Sequence, residues 1–160
     1  MGKVIIICGK IGSGKSTYAN KLVKELNAVN ISQDELMIDL FGVDLYFEQR
    51  EVYEKYCNKV EQYVKQKSGE AAKAGAIAIC ENGFWSQNER NELKSFYKNM
   101  GVKYELHYID TPEEQRLNNI KKRNKNITEN NLHFFLTDEK DINHYFEIPT
   151  DDEIDVKVVF

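Results

Sequence analysis

The amino-acid sequence predicts an α/β domain built on a doubly wound parallel sheet, and three observations lead to this prediction. Short apolar runs typical of buried strands alternate along the chain with segments of helical periodicity. The first run, residues 4–7, is followed at once by a glycine-rich loop and a helical pattern, as in a strand–loop–helix unit. The composition, 160 residues of which 41% are hydrophobic and 30% charged, is that of a single globular domain, residues 1–160.

Each strand is predicted from a run of apolar residues, and each helix from apolar residues three and four positions apart. The strands are predicted at residues 3–8, 28–32, 76–80, 103–109 and 155–160. The helices are predicted at residues 15–27, 35–41, 47–73, 87–99, 112–124 and 129–145. Two helix starts are marked by local chemistry, because Ser86 with Glu89 forms a capping box and Thr111 precedes a first-turn proline.

Charge, cysteine content and hydropathy narrow the class of protein. The formal net charge of −4 disfavours a protein whose main ligand is nucleic acid. Three cysteines at no framework spacing indicate a reducing cytoplasm. No apolar run is long enough to cross a membrane, and the short apolar opening lacks the form of a signal peptide. We therefore expect a cytoplasmic protein with no membrane partner.

The glycine-rich loop carries the strongest functional signal. Residues 9–16 read G-x-x-x-x-G-K-S, the phosphate-binding loop pattern, between a predicted strand and a predicted helix. Its backbone N–H groups would converge on phosphate oxygens, Lys15 would reach the β- and γ-phosphates, and the Ser16 hydroxyl would bind Mg²⁺. The predicted nucleotide-binding residues are Gly9, Lys10, Ile11, Gly12, Ser13, Gly14, Lys15, Ser16 and Thr17.

Two carboxylates lie at the ends of predicted strands, where the ligand crevice of an open α/β sheet is found. Asp34 follows the second strand and would accept the proton of an acceptor hydroxyl. The alternative is that Asp34, or Ser32 beside it, is only a helix cap. Glu81 ends the third strand and would hold Mg²⁺ with Ser16, most simply through the water shell of the ion. The alternative for Glu81 is a solvated strand-end carboxylate.

Two arginines lie seven positions apart, on one face of the predicted helix 112–124. Arg116 and Arg123 would stabilise the charge that develops on a transferring γ-phosphoryl group. The alternative is that basic residues here complement the negative end of the helix.

The guanine-specifying pattern N-K-x-D does not occur in the sequence, which favours ATP as the nucleotide.

Five stretches together resemble one known family: "CGKIGSGKST", "ISQDELMIDLFG", "ENGFWSQNER", "LHYIDTPEEQRL" and "YFEIPTDDE". The chain is similar to the small ATP-binding predicted kinases of the AAA group, which are similar in turn to zeta toxins, chloramphenicol phosphotransferase and polynucleotide 5′-kinase. The resemblance implies the P-loop kinase fold, with a five-stranded parallel sheet flanked by helices and a short helical lid at about 116–130. It also implies MgATP-dependent transfer to a hydroxyl, with Lys15 and Ser16 on the nucleotide, Asp34 as base and Arg123 in the lid.

The reaction that these residues predict is ATP-dependent transfer of the γ-phosphoryl group to a small hydroxyl-bearing acceptor. Relatives that act on polynucleotide 5′ ends carry an arginine for the acceptor phosphate three residues after the catalytic aspartate, where this chain has Met37. A polynucleotide 5′-hydroxyl kinase is therefore the second prediction. A third, from another class, is an ATP-dependent switch or ATPase that signals to a partner protein.

Overall fold

The computed structural model describes residues 2–42, 45, 49–83, 85–125 and 145–160. The strands are β1 (Lys3–Cys8), β2 (Val29–Ser32), β3 (Ile77–Glu81), β4 (Lys103–Asp110) and β5 (Val156–Val159). The helices of the described residues are α1 (Lys15–Leu26), α2 (Gln33–Phe41), α3 (Arg50–Lys73), α4 (Gln87–Asn99) and α5 (Glu113–Lys125). The predicted helix 129–145 and the last third of the predicted lid, 126–130, lie outside the described residues, apart from Tyr145.

The five strands form one parallel sheet in the order β2-β3-β1-β4-β5, which confirms the predicted fold class. Strand β1 lies at the centre, and Ile6 is paired with Cys80 of β3 and Leu106 of β4. Residues 4–8 are fully buried, because helices cover both faces of a parallel sheet. The order of the strands brings the loop after β1 between the carboxyl ends of β3 and β4.

Two hydrophobic cores lie on the two faces of the sheet, since successive side chains of a strand point to opposite sides. Ile5 and Ile7 pack with α1 on one face. Val4 and Ile6 pack on the other face with residues of α2, α3 and α4, among which Met37 is 3% exposed. The predicted core pattern is thereby confirmed for β1, and the loop after it is anchored at both ends by buried elements.

The helix starts follow from local side-chain chemistry. Helix α4 begins with the predicted capping box, in which Ser86 accepts from the Glu89 N–H at 3.2 Å and donates its own N–H to the Glu89 carboxylate at 2.8 Å. Helix α2 is capped by Ser32, whose hydroxyl accepts from the Glu35 N–H at 3.4 Å. This cap starts the helix at Gln33, two residues earlier than predicted, and the capping role falls to Ser32 rather than to Asp34.

A buried ion pair joins α4 to the segment that leads into β5. The Arg90 Nε and Nη2 atoms donate to the two carboxylate oxygens of Glu153 at 3.1 and 3.2 Å. Arg90 is completely buried and Nη1 donates to the Glu147 carbonyl at 2.9 Å. The Thr150 N–H donates to the same Glu153 carboxylate at 3.0 Å, so the acid is held from two sides.

None of the helices in the described ranges is both long and apolar enough to span a bilayer.

Candidate functional site

The loop between β1 and α1 has the backbone that its glycines allow. Gly12 has a φ of 78° and Gly14 has a φ of 96°, both in the left-handed region that other residues rarely adopt. Helix α1 begins directly after Gly14, with Lys15 as its first residue. The N–H groups of the first helical turn therefore point toward the loop, and a helix start of this kind binds anions.

The Lys15 side chain lies over the loop. Its ammonium donates to the carbonyls of Gly9 at 2.9 Å and Lys10 at 3.1 Å. Burial lowers the pKa of Lys15, and the charges of Glu81 and Asp34 act in the opposite direction. The ammonium is therefore held at the loop by two carbonyl oxygens, and it lies within reach of the charges of two carboxylates.

Ser16 and Glu81, the two predicted metal ligands, are in direct contact. The Ser16 hydroxyl donates to Glu81 Oε1 at 2.5 Å, and Asn30 Nδ2 donates to Glu81 Oε2 at 3.4 Å. Glu81 ends β3 beside Ser32 of β2 in the register of the sheet, and it is buried. A hydroxyl and a carboxylate side by side are oxygen donors of the kind that Mg²⁺ prefers.

Asp34 lies in the first turn of α2, within electrostatic range of the loop. Solvent reaches its side chain, but the protein atoms on its other sides withdraw enough water to raise its pKa. Lys15 and Arg123 lower this pKa by their positive charge, whereas Glu81 raises it. The four side chains of Lys15, Asp34, Glu81 and Arg123 thus act on one another, although they come from four different elements.

The two predicted arginines lie in different places. Arg123, near the end of α5, is close enough to Asp34 for the two charges to interact, and burial lowers its own pKa. Arg116 is buried in the first half of α5, where Nη1 donates to the Ile11 carbonyl of the loop at 3.0 Å. Its position at the transferring phosphoryl group stays a prediction, while its contact with the loop is part of the structure.

Two further side chains hold the loop from the same direction as Arg116. The Thr111 hydroxyl donates to the Ser13 carbonyl at 2.7 Å, and Asn119 Nδ2 donates to the Gly12 carbonyl at 2.9 Å. Neither residue is predicted from the sequence to belong to the site, and neither is Asn30. For Asn30 a signal was present, since an amide inside a short strand between Val29 and Ile31 is unusual.

The chain matches one protein family over most of its length. Residues 4–137 match the family described as AAA domain. The chain belongs to this AAA domain family. The match covers the loop, Asp34, Glu81 and both arginines, and it confirms the resemblance found in the sequence motifs. No curated protein sequence matches the chain.

Solved structures similar to this AAA domain are P-loop proteins of several kinds. The Mycobacterium tuberculosis APS kinase CysC in complex with AMPPNP and APS has a TM-score of 0.68 and 19% identity, over 99% of this chain and 88% of that chain. Chaetomium thermophilum Kti12 in complex with ADP-AlF3 has a TM-score of 0.73 and 15% identity, over 98% and 88%. The Pnkp1/Rnl/Hen1 RNA repair complex has a TM-score of 0.71 and 21% identity, over 90% and 42%. At these identities the likeness shows the fold, which is the P-loop kinase fold.

Proposed function

We propose that this protein is an ATP-dependent phosphotransferase that moves the γ-phosphoryl group of ATP to a hydroxyl of a small-molecule acceptor. The observation that carries the proposal is that the charges of Lys15, Asp34, Glu81 and Arg123 act on one another beside the phosphate-binding loop, where Lys15 contacts the loop carbonyls and Ser16 contacts Glu81. Lys15 and Arg123 carry positive charges suited to phosphate oxygens, and Asp34 carries a carboxylate suited to accept a hydroxyl proton. Membership of the AAA domain family and the fold of the APS kinase support the same reaction class.

ATP would bind along the loop, residues 9–17. The N–H groups at the start of α1 would hold the β-phosphate, and Lys15 would leave the Gly9 and Lys10 carbonyls to contact the γ-phosphate. Ser16 and Glu81 would hold Mg²⁺, which when bound neutralises charge on the β- and γ-phosphates. AMPPNP in the APS kinase and ADP-AlF3 in Kti12 support a nucleotide as the ligand of this fold.

Asp34 would act as the base. The acceptor oxygen forms a bond to the γ-phosphorus, the bond from that phosphorus to the β–γ bridging oxygen breaks, and ADP leaves with the electron pair. The hydroxyl proton passes to the Asp34 carboxylate. A raised pKa suits this task, because a carboxylate with a pKa nearer neutrality is the stronger proton acceptor. Arg123 would stabilise the charge on the γ-phosphoryl oxygens.

The charges around Asp34 favour a neutral or basic acceptor over a phosphorylated one. Burial raises the pKa of Glu35, and the negative charges of Glu81, Asp39 and Asp34 raise it further. An acceptor that carries its own phosphate would be repelled by the neighbouring carboxylates of Asp34 and Glu35. Met37, at the position where polynucleotide 5′-kinases place an arginine, is buried in the core. A nucleic-acid 5′ end is therefore the second candidate, kept because the fold also occurs in an RNA repair complex.

The test is a transfer assay with γ-³²P-labelled ATP, Mg²⁺ and a pool of sugars, amino sugars, nucleosides, antibiotics and 5′-hydroxyl oligonucleotides, followed by chromatography of the label. We expect a labelled small molecule that is lost in Asp34→Asn and retained in the matched control Asp39→Asn, an exposed carboxylate five residues further along α2. Label on the oligonucleotide alone would make the protein a polynucleotide kinase. Label in free phosphate alone, unaffected by Asp34→Asn, would refute a phosphotransferase and leave the ATPase or switch.

A further inference from the structure

We propose that Thr111, Arg116 and Asn119 form a carbonyl clamp that orients the phosphate-binding loop for the polyphosphate of ATP. The three side chains donate to three successive carbonyls, those of Ser13 at 2.7 Å, Ile11 at 3.0 Å and Gly12 at 2.9 Å. The inference rests on the proposed function only in that the loop binds a polyphosphate. It adds Thr111 and Asn119 as residues that position the loop without touching a reacting atom, and it gives Arg116 a positioning role beside its predicted one.

The carbonyls of residues 9–14 all have donors. Lys15 donates to the Gly9 and Lys10 carbonyls, and the Ser13 N–H also donates to the Lys10 carbonyl at 3.1 Å. The clamp holds the next three carbonyls, and the Gly14 carbonyl accepts the helical N–H of Tyr18 at 2.9 Å. Because their oxygens are held by Thr111, Arg116 and Asn119, the carbonyls of residues 11–13 are kept from turning toward a bound anion.

Because the peptide bond is planar, a carbonyl that is held in place also fixes the direction of the N–H of the next residue. In a trans peptide the C=O and the N–H point in opposite directions across the same plane. The Ile11 carbonyl is drawn toward Arg116, so the Gly12 N–H points away from α5. The Ser13 carbonyl is drawn toward Thr111, so the Gly14 N–H points away from Thr111. The clamp thereby fixes the direction of two N–H groups that a β- or γ-phosphate would accept.

Close packing of α5 on the loop supports the same role. A Cβ added to Gly12 would lie 2.7 Å from the Arg116 carbonyl and 2.7 Å from the Ile120 side chain. Contact this tight requires glycine at position 12, and it leaves the loop peptides no space in which to turn toward α5. Arg116 and Ile120 are both buried, so the clamp is part of a packed interface rather than a set of surface contacts.

Two pairs of substitutions isolate the clamp from general stability. Thr111→Val removes the hydroxyl at nearly constant shape, and Thr111→Ser restores it. Asn119→Ala removes the amide donor, and Asn118→Ala is the matched control, since Asn118 is the exposed neighbour on the same helix. The measurement is calorimetric titration of each full-length variant, at a temperature well below its unfolding transition, with MgATP and separately with inorganic tripolyphosphate.

We expect Thr111→Val and Asn119→Ala each to weaken binding of both ligands about 3- to 10-fold, the effect of one neutral hydrogen bond. Thr111→Ser and Asn118→Ala should bind like the wild type. Wild-type affinity for tripolyphosphate in both clamp variants, with only the melting temperature lowered, would overturn the clamp and leave a structural contact. If Thr111→Val does not fold, the comparison of Asn119→Ala with Asn118→Ala decides alone. A wild-type protein that binds neither ligand would instead refute the proposed function, and the clamp with it.

Discussion

Removal of the charge of Glu153 should destabilise the protein strongly, although this residue lies outside the proposed site. In Glu153→Gln the guanidinium of Arg90 keeps its place in the interior but loses the carboxylate of Glu153. Arg90 is completely buried and the Glu153 side chain is 6% exposed, so water cannot replace the missing carboxylate. Removal of one partner of a buried ion pair costs about 3–5 kcal/mol.

The size of this loss predicts the result of a melting experiment. For a domain of this length, about 1 kcal/mol shifts the melting temperature by roughly 2–4 °C, so Glu153→Gln should melt roughly 6–20 °C below the wild type. Urea unfolding should give the same loss of free energy with an unchanged slope. Asp152→Asn is the control, because Asp152 is exposed and adjacent.

The pH dependence of the loss provides a second check. Burial alone would raise the pKa of Glu153, but the hydrogen bonds from Arg90 and the Thr150 N–H, with the charges of Arg90 and Lys94, lower it below its ordinary value of 4.5. An acid with a lowered pKa stabilises the fold above its unfolded pKa and loses that effect as the pH falls. The difference between Glu153→Gln and wild type should therefore shrink in acid. If Glu153→Gln melts within about 1 °C of the wild type at neutral pH, the carboxylate of Glu153 does not stabilise the fold by the amount expected here.

Three further predictions concern the proposed site. Lys15→Met should reduce transfer about 10²–10³-fold, as for other lost donors to developing charge, measured as initial rate at saturating acceptor. Glu81→Gln should raise the Mg²⁺ concentration for half-maximal rate about 10- to 100-fold, which a metal titration measures; an unchanged value would remove Glu81 from the metal site. Arg123→Gln removes a charge that lowers the Asp34 pKa, so the acidic limb of the pH–rate profile, where Asp34 must be ionised, should move to higher pH. A limb that stays in place would contradict Asp34 as the base.

The part of the molecule that could be predicted from the sequence is the part determined by neighbours in the chain. The run of isoleucines in β1, the glycines of the loop and the capping box at Ser86 each act over a few residues, and all three are confirmed. The end of β3 at Glu81 also follows from a local apolar run. Because parallel strands bring their carboxyl ends to one edge, the proximity of Ser16 and Glu81 could be inferred as well.

The contacts that the sequence did not predict join residues far apart in the chain. Asn119 and Gly12 are 107 positions apart, Thr111 and Ser13 are 98, and Arg90 and Glu153 are 63. Such pairs leave no periodic signal, because many polar side chains could bond any one carbonyl until the fold selects among them. Arg116 illustrates this limit, since its spacing from Arg123 suggested one face of a helix but not the loop carbonyl that it contacts.

The burial of Met37 limits how the acceptor preference could change. Its side chain lies in the same core cluster as Val60 and Val64 of α3, one turn after Asp34 on α2. An arginine introduced there would begin in an apolar interior, and the cost of a buried charge would fall on the contact of α2 with α3. A change toward acceptors that carry a phosphate would therefore require this helix pair to be repacked first, so the core constrains the proposed acceptor range as much as the surface does.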